Sequence, residues 1–193
     1  MEWFLNLDNR ITNSLYLQEP KSLESVIFTI ASSFIYLIPV VLLVMFLRSH
    51  KERITSMKVF VSAILAWQVL SKFVGEYFYG NYGFRDRPFA ERGLKEFLFE
   101  RPEKAFPSDH AAVFAAITTS FFIYKYPKVV YLFFGVGLVS SLARVVIGFH
   151  WFGDVLGGWI LGMAAAATVY LLDKPLTDFF EWINRKFSRK YGR

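Results

Sequence analysis

Val26–Leu47, VIFTIASSFIYLIPVVLLVMFL, runs without a single charged residue. A helix of this length crosses a hydrocarbon core, which takes about 20 apolar residues. The run follows a polar stretch and lacks a small-residue cleavage site, so it reads as a retained span and not as a signal peptide. Four further apolar runs follow it. Val59 to Phe78 is interrupted by Lys72 and Glu76, and Ser108 to Tyr124 is stopped by Lys125 and Pro127. Val129 to Phe149 contains Arg144, and Val155 to Leu172 is rich in the small residues that let membrane helices approach closely. The predicted fold class is all-α: a polytopic membrane helix bundle of about five transmembrane helices.

Composition agrees with that reading. Of 193 residues, 54% are hydrophobic, 19% aromatic and 20% charged, with a net charge of +6. A disordered chain would be polar and poor in aromatics, and a soluble domain would spread its apolar residues along one face of each helix rather than in blocks. Cysteine is absent, which excludes disulfides, thiolate metal sites and cysteine nucleophiles together. One domain over residues 1–193 is expected from the length.

The two ends are amphipathic. Trp3, Phe4, Leu7, Ile11 and Leu15 recur at helical spacing around Asp8, Asn9 and Arg10, the pattern of a helix lying in the membrane interface. After Asp173 the chain alternates Phe179, Phe180, Trp182 and Phe187 with Arg185, Lys186, Arg189 and Lys190. Beside a membrane span, anionic lipid is the expected partner of such a tail, and nucleic acid is not.

Positive charge sets the orientation. Arg48, Lys51, Arg53 and Lys58 follow the first run, Lys125 and Lys128 the third, and the basic tail the last. The positive-inside rule puts these segments and the C-terminus on the cytoplasmic side. The N-terminus, the loop from Tyr79 to Pro107 and the turn at Trp151 then face outward. That outward loop carries Arg85, Arg87, Arg92, Lys95, Arg101 and Lys104. Cations kept on the outer side need a reason of their own, and an anionic ligand supplies one.

Three polar clusters meet at the outer face in this topology: Lys72 with Arg85-Asp86-Arg87-Pro88, then Pro107-Ser108-Asp109-His110, then Arg144 with His150 and Asp154. Arginine offers phosphate a planar fork of donors and lysine a point charge. Ser108 stands at the expected start of a helix, where unpaired N–H groups favour an anion. His110 and His150 bring the side chains that titrate nearest neutrality. His150 and Asp154 are one helical turn apart, so the carboxylate is able to orient the imidazole. Arg144 inside an apolar run is a functional candidate by its cost alone, whereas His50 and the glycines Gly157, Gly158 and Gly162 read as structural.

These motifs resemble the type 2 phosphatidic acid phosphatase family of integral-membrane lipid phosphatases, over about residues 59 to 172. The resemblance implies a lipid phosphatase or diphosphatase that uses no metal and no cofactor and works through a phosphohistidine. By that likeness His150 is the nucleophile, Asp154 its orienting partner and His110 the acid for the leaving oxygen. Arg87, Arg144, Ser108, Lys72, Arg85 and the backbone at Asp109 would hold the phosphoryl oxygens. Lys72 stands further from Arg87 than the family's lysine usually does, and Asp109 replaces a common glycine. The Asp109 form, with Arg-Pro-Phe ending at Phe89, resembles bacterial polyprenyl diphosphatases. The expected substrates are undecaprenyl diphosphate, lipid A 1-phosphate or phosphatidylglycerophosphate, drawn from the outer leaflet of the bacterial inner membrane. The alternative reading of the same residues is a non-catalytic anion- or lipid-binding or transport protein.

Overall fold

The structure is a computed structural model describing residues 2–16, 21–83, 85–91 and 104–191, with backbone alone at 21, 22, 24 and 187–191. Arg92, Lys95 and Arg101 of the outward loop therefore lie outside the described residues, as do the side chains of Phe187, Arg189 and Lys190. Among the described residues all regular secondary structure is helical, with no strand. Helix α1 is Glu2–Leu15, α2 Lys21–Ser33 and α3 Leu37–Arg48, the last two joined by a 3-10 turn at Phe34–Tyr36. Helix α4, His50–Ile64, runs through a π-helical segment, Leu65–Ser71, into α5, Lys72–Tyr82. The short α6 is Pro88–Glu91, followed by α7 Asp109–Ile123, α8 Pro127–Val146, α9 Phe152–Leu171 and α10 Asp173–Tyr191.

Among the described residues four stretches are long and apolar enough to cross a membrane: Ser25–Arg48, His50–Tyr82, Pro127–Val146 and Phe152–Leu171. The expected all-α polytopic bundle is what forms, but the count of five is not reached by length. The third expected span is the 15-residue α7, about 22 Å long at 1.5 Å per residue, short of the roughly 30 Å hydrocarbon core. Its ends explain this. Ser108 stays in extended backbone as the N-cap, and Lys125 takes a positive φ of 63° where the chain turns into α8.

Helix α7 is the centre of the bundle, packed against α4, the π-helical segment, α8 and α9. Its seam with α9 is built from small residues: a Cβ at Gly162 would collide with the Ala112 carbonyl, and one at Gly158 with the Ser108 carbonyl. Close backbone approach is how helices associate where lipid removes any hydrophobic advantage. Beside this seam, Phe114, Ile117, Phe121 and Phe133 pack with Ile38, Leu42, Met45 and Val59.

At the opposite end from the histidine motifs, Lys58 donates to Asp173 at 2.6 Å and Tyr124 donates to the same oxygen at 2.8 Å. Burial opposes ionisation of Asp173, but these hydrogen bonds and the Lys58 charge outweigh it and hold the carboxyl below its ordinary value. Arg53 donates to Asn184, and His50 contacts Glu181 and Asn184, so α10 is tied to α4.

Candidate active site

Helix α8 ends at Val146, and the chain beyond it turns back onto a carbonyl of the last helical turn. The backbone N–H groups of Phe149 and His150 both donate to the carbonyl of Arg144, at 2.8 and 3.2 Å. The reversal passes through Gly148, whose φ of 83° is accessible to glycine at no steric cost. A side chain there would also meet Tyr16 and the backbone of Phe89. The Gly148 carbonyl accepts from Phe89 N at 3.0 Å, which anchors the segment carrying Arg87 to the turn carrying His150.

His150 is buried and its two nitrogens have distinct surroundings. Nδ1 lies 2.9 Å from the carbonyl oxygen of Ala105. Nε2 lies 3.4 Å from Nη1 of Arg87 and 3.4 Å from Nη2 of Arg144. A carbonyl only accepts and a guanidinium only donates. The proton therefore sits on Nδ1, and Nε2 presents its lone pair to the space between the two arginines. Burial first, then the charges of Arg87, Arg144 and His110, push the pKa of His150 well below its ordinary value. The neutral, Nδ1-protonated form is the one the geometry selects.

The arginines are themselves fixed. Arg87 Nη1 donates to the Phe149 carbonyl at 2.8 Å. Arg144, almost fully buried at 2% exposure, donates to the Ala31 carbonyl of α2 at 3.3 Å and stands 5.0 Å from the centre of the Phe149 ring. Opposite them is the start of α7. Ser108 N donates to the Asp154 carbonyl at 3.0 Å, joining the second and third motifs directly. The Ser108 hydroxyl is buried with no hydrogen-bond partner among the described residues, and His110, half-buried, follows on the first turn. Lys104 forms a 3.8 Å ion pair with Asp109 at the rim.

Asp154 Oδ2 accepts from the Trp151 backbone at 2.8 Å and stands 3.5 Å from His150 Nδ1. The nearest group on Nδ1 is thus the Ala105 carbonyl, which no side-chain motif announces. Lys72 and Arg85 are the two remaining expected phosphate ligands. Lys72 is exposed on α5. Arg85 donates to Asp8 and Asn9 of α1 and lies 3.5 Å above the Trp151 ring. Among the described residues no three His, Asp or Glu side chains gather as metal ligands do.

A buried neutral imidazole between two arginines, at one end of a membrane helix bundle, defines a class of protein: a membrane protein with a cationic pocket suited to an anion. Residues 57–178 match the PAP2 superfamily, and the chain belongs to it. Over 87 residues it is 31% identical to YbjG of Escherichia coli (strain K12), whose name carries a provisional undecaprenyl-diphosphatase assignment. That match takes in 45% of this chain and 44% of the curated relative, so it spans less than half the length of either. Among solved structures, Aquifex aeolicus LpxE superposes with a TM-score of 0.65 at 19% identity, over 85% of this chain and 94% of that one. The structure described as the first transmembrane PAP2 type phosphatidylglycerolphosphate phosphatase, from Bacillus subtilis, gives 0.60 at 23% identity, over 91% and 88%. These likenesses establish a shared fold.

Proposed function

We propose that the chain is a multi-pass lipid phosphatase of the bacterial inner membrane, hydrolysing a lipid phosphate or diphosphate through a phosphohistidine at the outer face. The observation that carries the reading is the lone pair of His150 Nε2 aimed between Arg87 and Arg144, 3.4 Å from each. A phosphoryl group taken up between these guanidinium groups has its oxygens on fixed cationic donors and its phosphorus in line with the nitrogen. The Ser108 hydroxyl and the N–H of Asp109 add neutral donors at the start of α7.

In the first step the Nε2 lone pair forms the N–P bond as the bond from phosphorus to the leaving oxygen breaks. His110, entering the step in its protonated form, gives its proton to that oxygen. The imidazolium that forms on His150 keeps its Nδ1 proton on the Ala105 carbonyl with Asp154 alongside. In the second step neutral His110 takes a proton from water, the hydroxide attacks phosphorus, and the N–P bond returns its electron pair to Nε2. Neither step requires a metal. Helix α7 is counted as the fifth crossing, its middle turns buried from Ala111 to Phe121 among longer helices. Lys72 and Arg85 are left outside the phosphate-binding set.

Substrate choice rests on the relatives. Undecaprenyl diphosphate leads, because YbjG is the relative at 31% identity; lipid A 1-phosphate and phosphatidylglycerophosphate follow. The test is inorganic phosphate release by detergent-purified protein in EDTA, offered these three lipids and phosphatidic acid in parallel. Release from at least one lipid that vanishes in His150→Ala is the expected outcome. Release that survives loss of His150, or none from any lipid, overturns the mechanism and leaves an anion-binding or transport role.

A further inference from the structure

Only Trp151, Phe152 and Gly153 separate His150 from Asp154, and each is held from outside its own helix. Helix α9 begins with no oxygen-bearing side chain at its N-cap, which is Trp151, although the first N–H groups of a helix need acceptors. Helix α1 provides them. Thr12 Oγ1 accepts from Phe152 N at 3.0 Å, and Asp8 Oδ1 accepts from Gly153 N at 2.7 Å. The other Asp8 oxygen accepts from Arg85, whose guanidinium lies over the Trp151 ring, and Trp151 Nε1 donates to the Asp86 carbonyl at 2.8 Å. Asp8 and Thr12 are both buried. A Cβ on Gly153 would stand only 3.2 Å from Asp8 Oδ2, so the fit leaves no slack.

A carboxylate here also opposes the positive end of the α9 dipole. Apolar residues of α1 meanwhile stay exposed at the protein surface, Trp3 at 75% and Leu7 at 41%. An interfacial helix normally buries apolar residues against lipid and leaves polar ones in water. Asp8 and Thr12 instead turn their polar atoms onto the N-terminal end of α9. Neither touches the space between Arg87 and Arg144.

We propose that α1 is a positioning element for the His150–Asp154 pair, with Asp8 as its principal positioning residue. By capping the first turn of α9 from outside, Asp8 and Thr12 set the depth and rotation at which Asp154 meets the imidazole. The inference rests on the phosphatase reading for its kinetic test and on geometry alone for its spectroscopic one. Misplacing a catalytic group by about 1 Å lowers turnover by up to about a hundredfold.

The full chain is therefore assayed with the fastest of the four lipids, comparing wild type with Asp8→Ala, Thr12→Ala and Thr12→Ser. Asp8→Ala is expected to lower kcat at least tenfold with KM within about twofold, because the phosphate ligands are untouched. Thr12→Ala is expected to lower kcat more mildly and Thr12→Ser to restore it. In 15N-histidine spectra, Asp8→Ala should keep the Nδ1-protonated tautomer that the Ala105 carbonyl and the two arginines select, but with its Nδ1 signal shifted from the wild-type position as Asp154 moves. Wild-type kcat in Asp8→Ala, or a loss confined to KM, overturns the proposal. If Asp8→Ala does not fold, the Thr12 pair decides: equal kcat in the alanine and serine variants overturns it. If wild type releases no phosphate at all, the phosphatase reading fails, and the spectra still judge α1, an unchanged His150 signal in Asp8→Ala counting against it.

Discussion

The tautomer of His150 is decided by which neighbours are able only to accept and which only to donate. The Ala105 carbonyl holds one nitrogen at 2.9 Å and two guanidinium groups face the other. The spacing of His150 and Asp154 announces a possible partner for the ring. It says nothing of Ala105, because a backbone carbonyl carries no side-chain signature. The depressed pKa has a consequence for stability. Between the lowered folded value and the ordinary histidine value of about 6.5, the unfolded chain binds a proton that the folded chain does not. Stability from this group is thus intact above about pH 6.5 and falls as the pH is lowered beneath it. Thermal unfolding in detergent is expected to show wild type losing stability from pH 7 to pH 5 more steeply than His150→Asn. Parallel curves would refute neutral burial of the imidazole. Arg85 and Asp8 are each legible as charged residues near a membrane surface, but their pairing across 77 positions is not.

Helix α7 reaches the site only because α9 lets it in. The glycine-rich stretch of α9 reads in sequence as a packing surface, and the structure bears that out at Gly158 and Gly162. Through this seam Ser108 comes within hydrogen-bonding distance of the Asp154 carbonyl. Adding one methyl at Gly162 pushes against the Ala112 carbonyl and Ala115, which are backbone and well-packed atoms with little room to shift. Gly162→Ala is expected to cost about 1–3 kcal/mol, as overpacking of a tight interface does. Gly135→Ala on α8, where a Cβ meets nothing within 4 Å, should be near neutral. Equilibrium unfolding of both variants in the same detergent checks the contrast, and equal stabilities would remove the seam argument. Helix boundaries were the less legible part of the sequence. Lys72 and Glu76 interrupt an apolar run but do not end the helix, which continues from His50 to Tyr82, because a long helix exposes such residues at one side without breaking its backbone bonds.

For the molecule as a whole, the site lies at one end of the bundle and the Lys58–Asp173 contact at the other. The positive-inside reading makes the site end the outer one. The absence of native cysteine allows a direct check. Single substitutions Asn81→Cys and Lys51→Cys fall at opposite ends of the long helix, both exposed. In intact cells a membrane-impermeant maleimide is expected to label the first and spare the second until the membrane is opened. The reverse pattern would put the site inside and require a substrate from the inner leaflet.

Composition, apolar runs and three polar motifs were enough to define a helical membrane bundle with a cationic histidine site. Run length and charge are local properties that a membrane reads directly. Tertiary structure alone decided that α7 is shorter than a membrane-crossing run suggests, that Arg85 engages α1, that Ala105 holds the His150 ring, and that polar residues of an amphipathic helix cap α9. Each of these depends on which backbone groups are left without partners once the helices are packed. Such vacancies arise at helix ends and turns, and the residues that fill them come from wherever the chain passes, however distant in sequence.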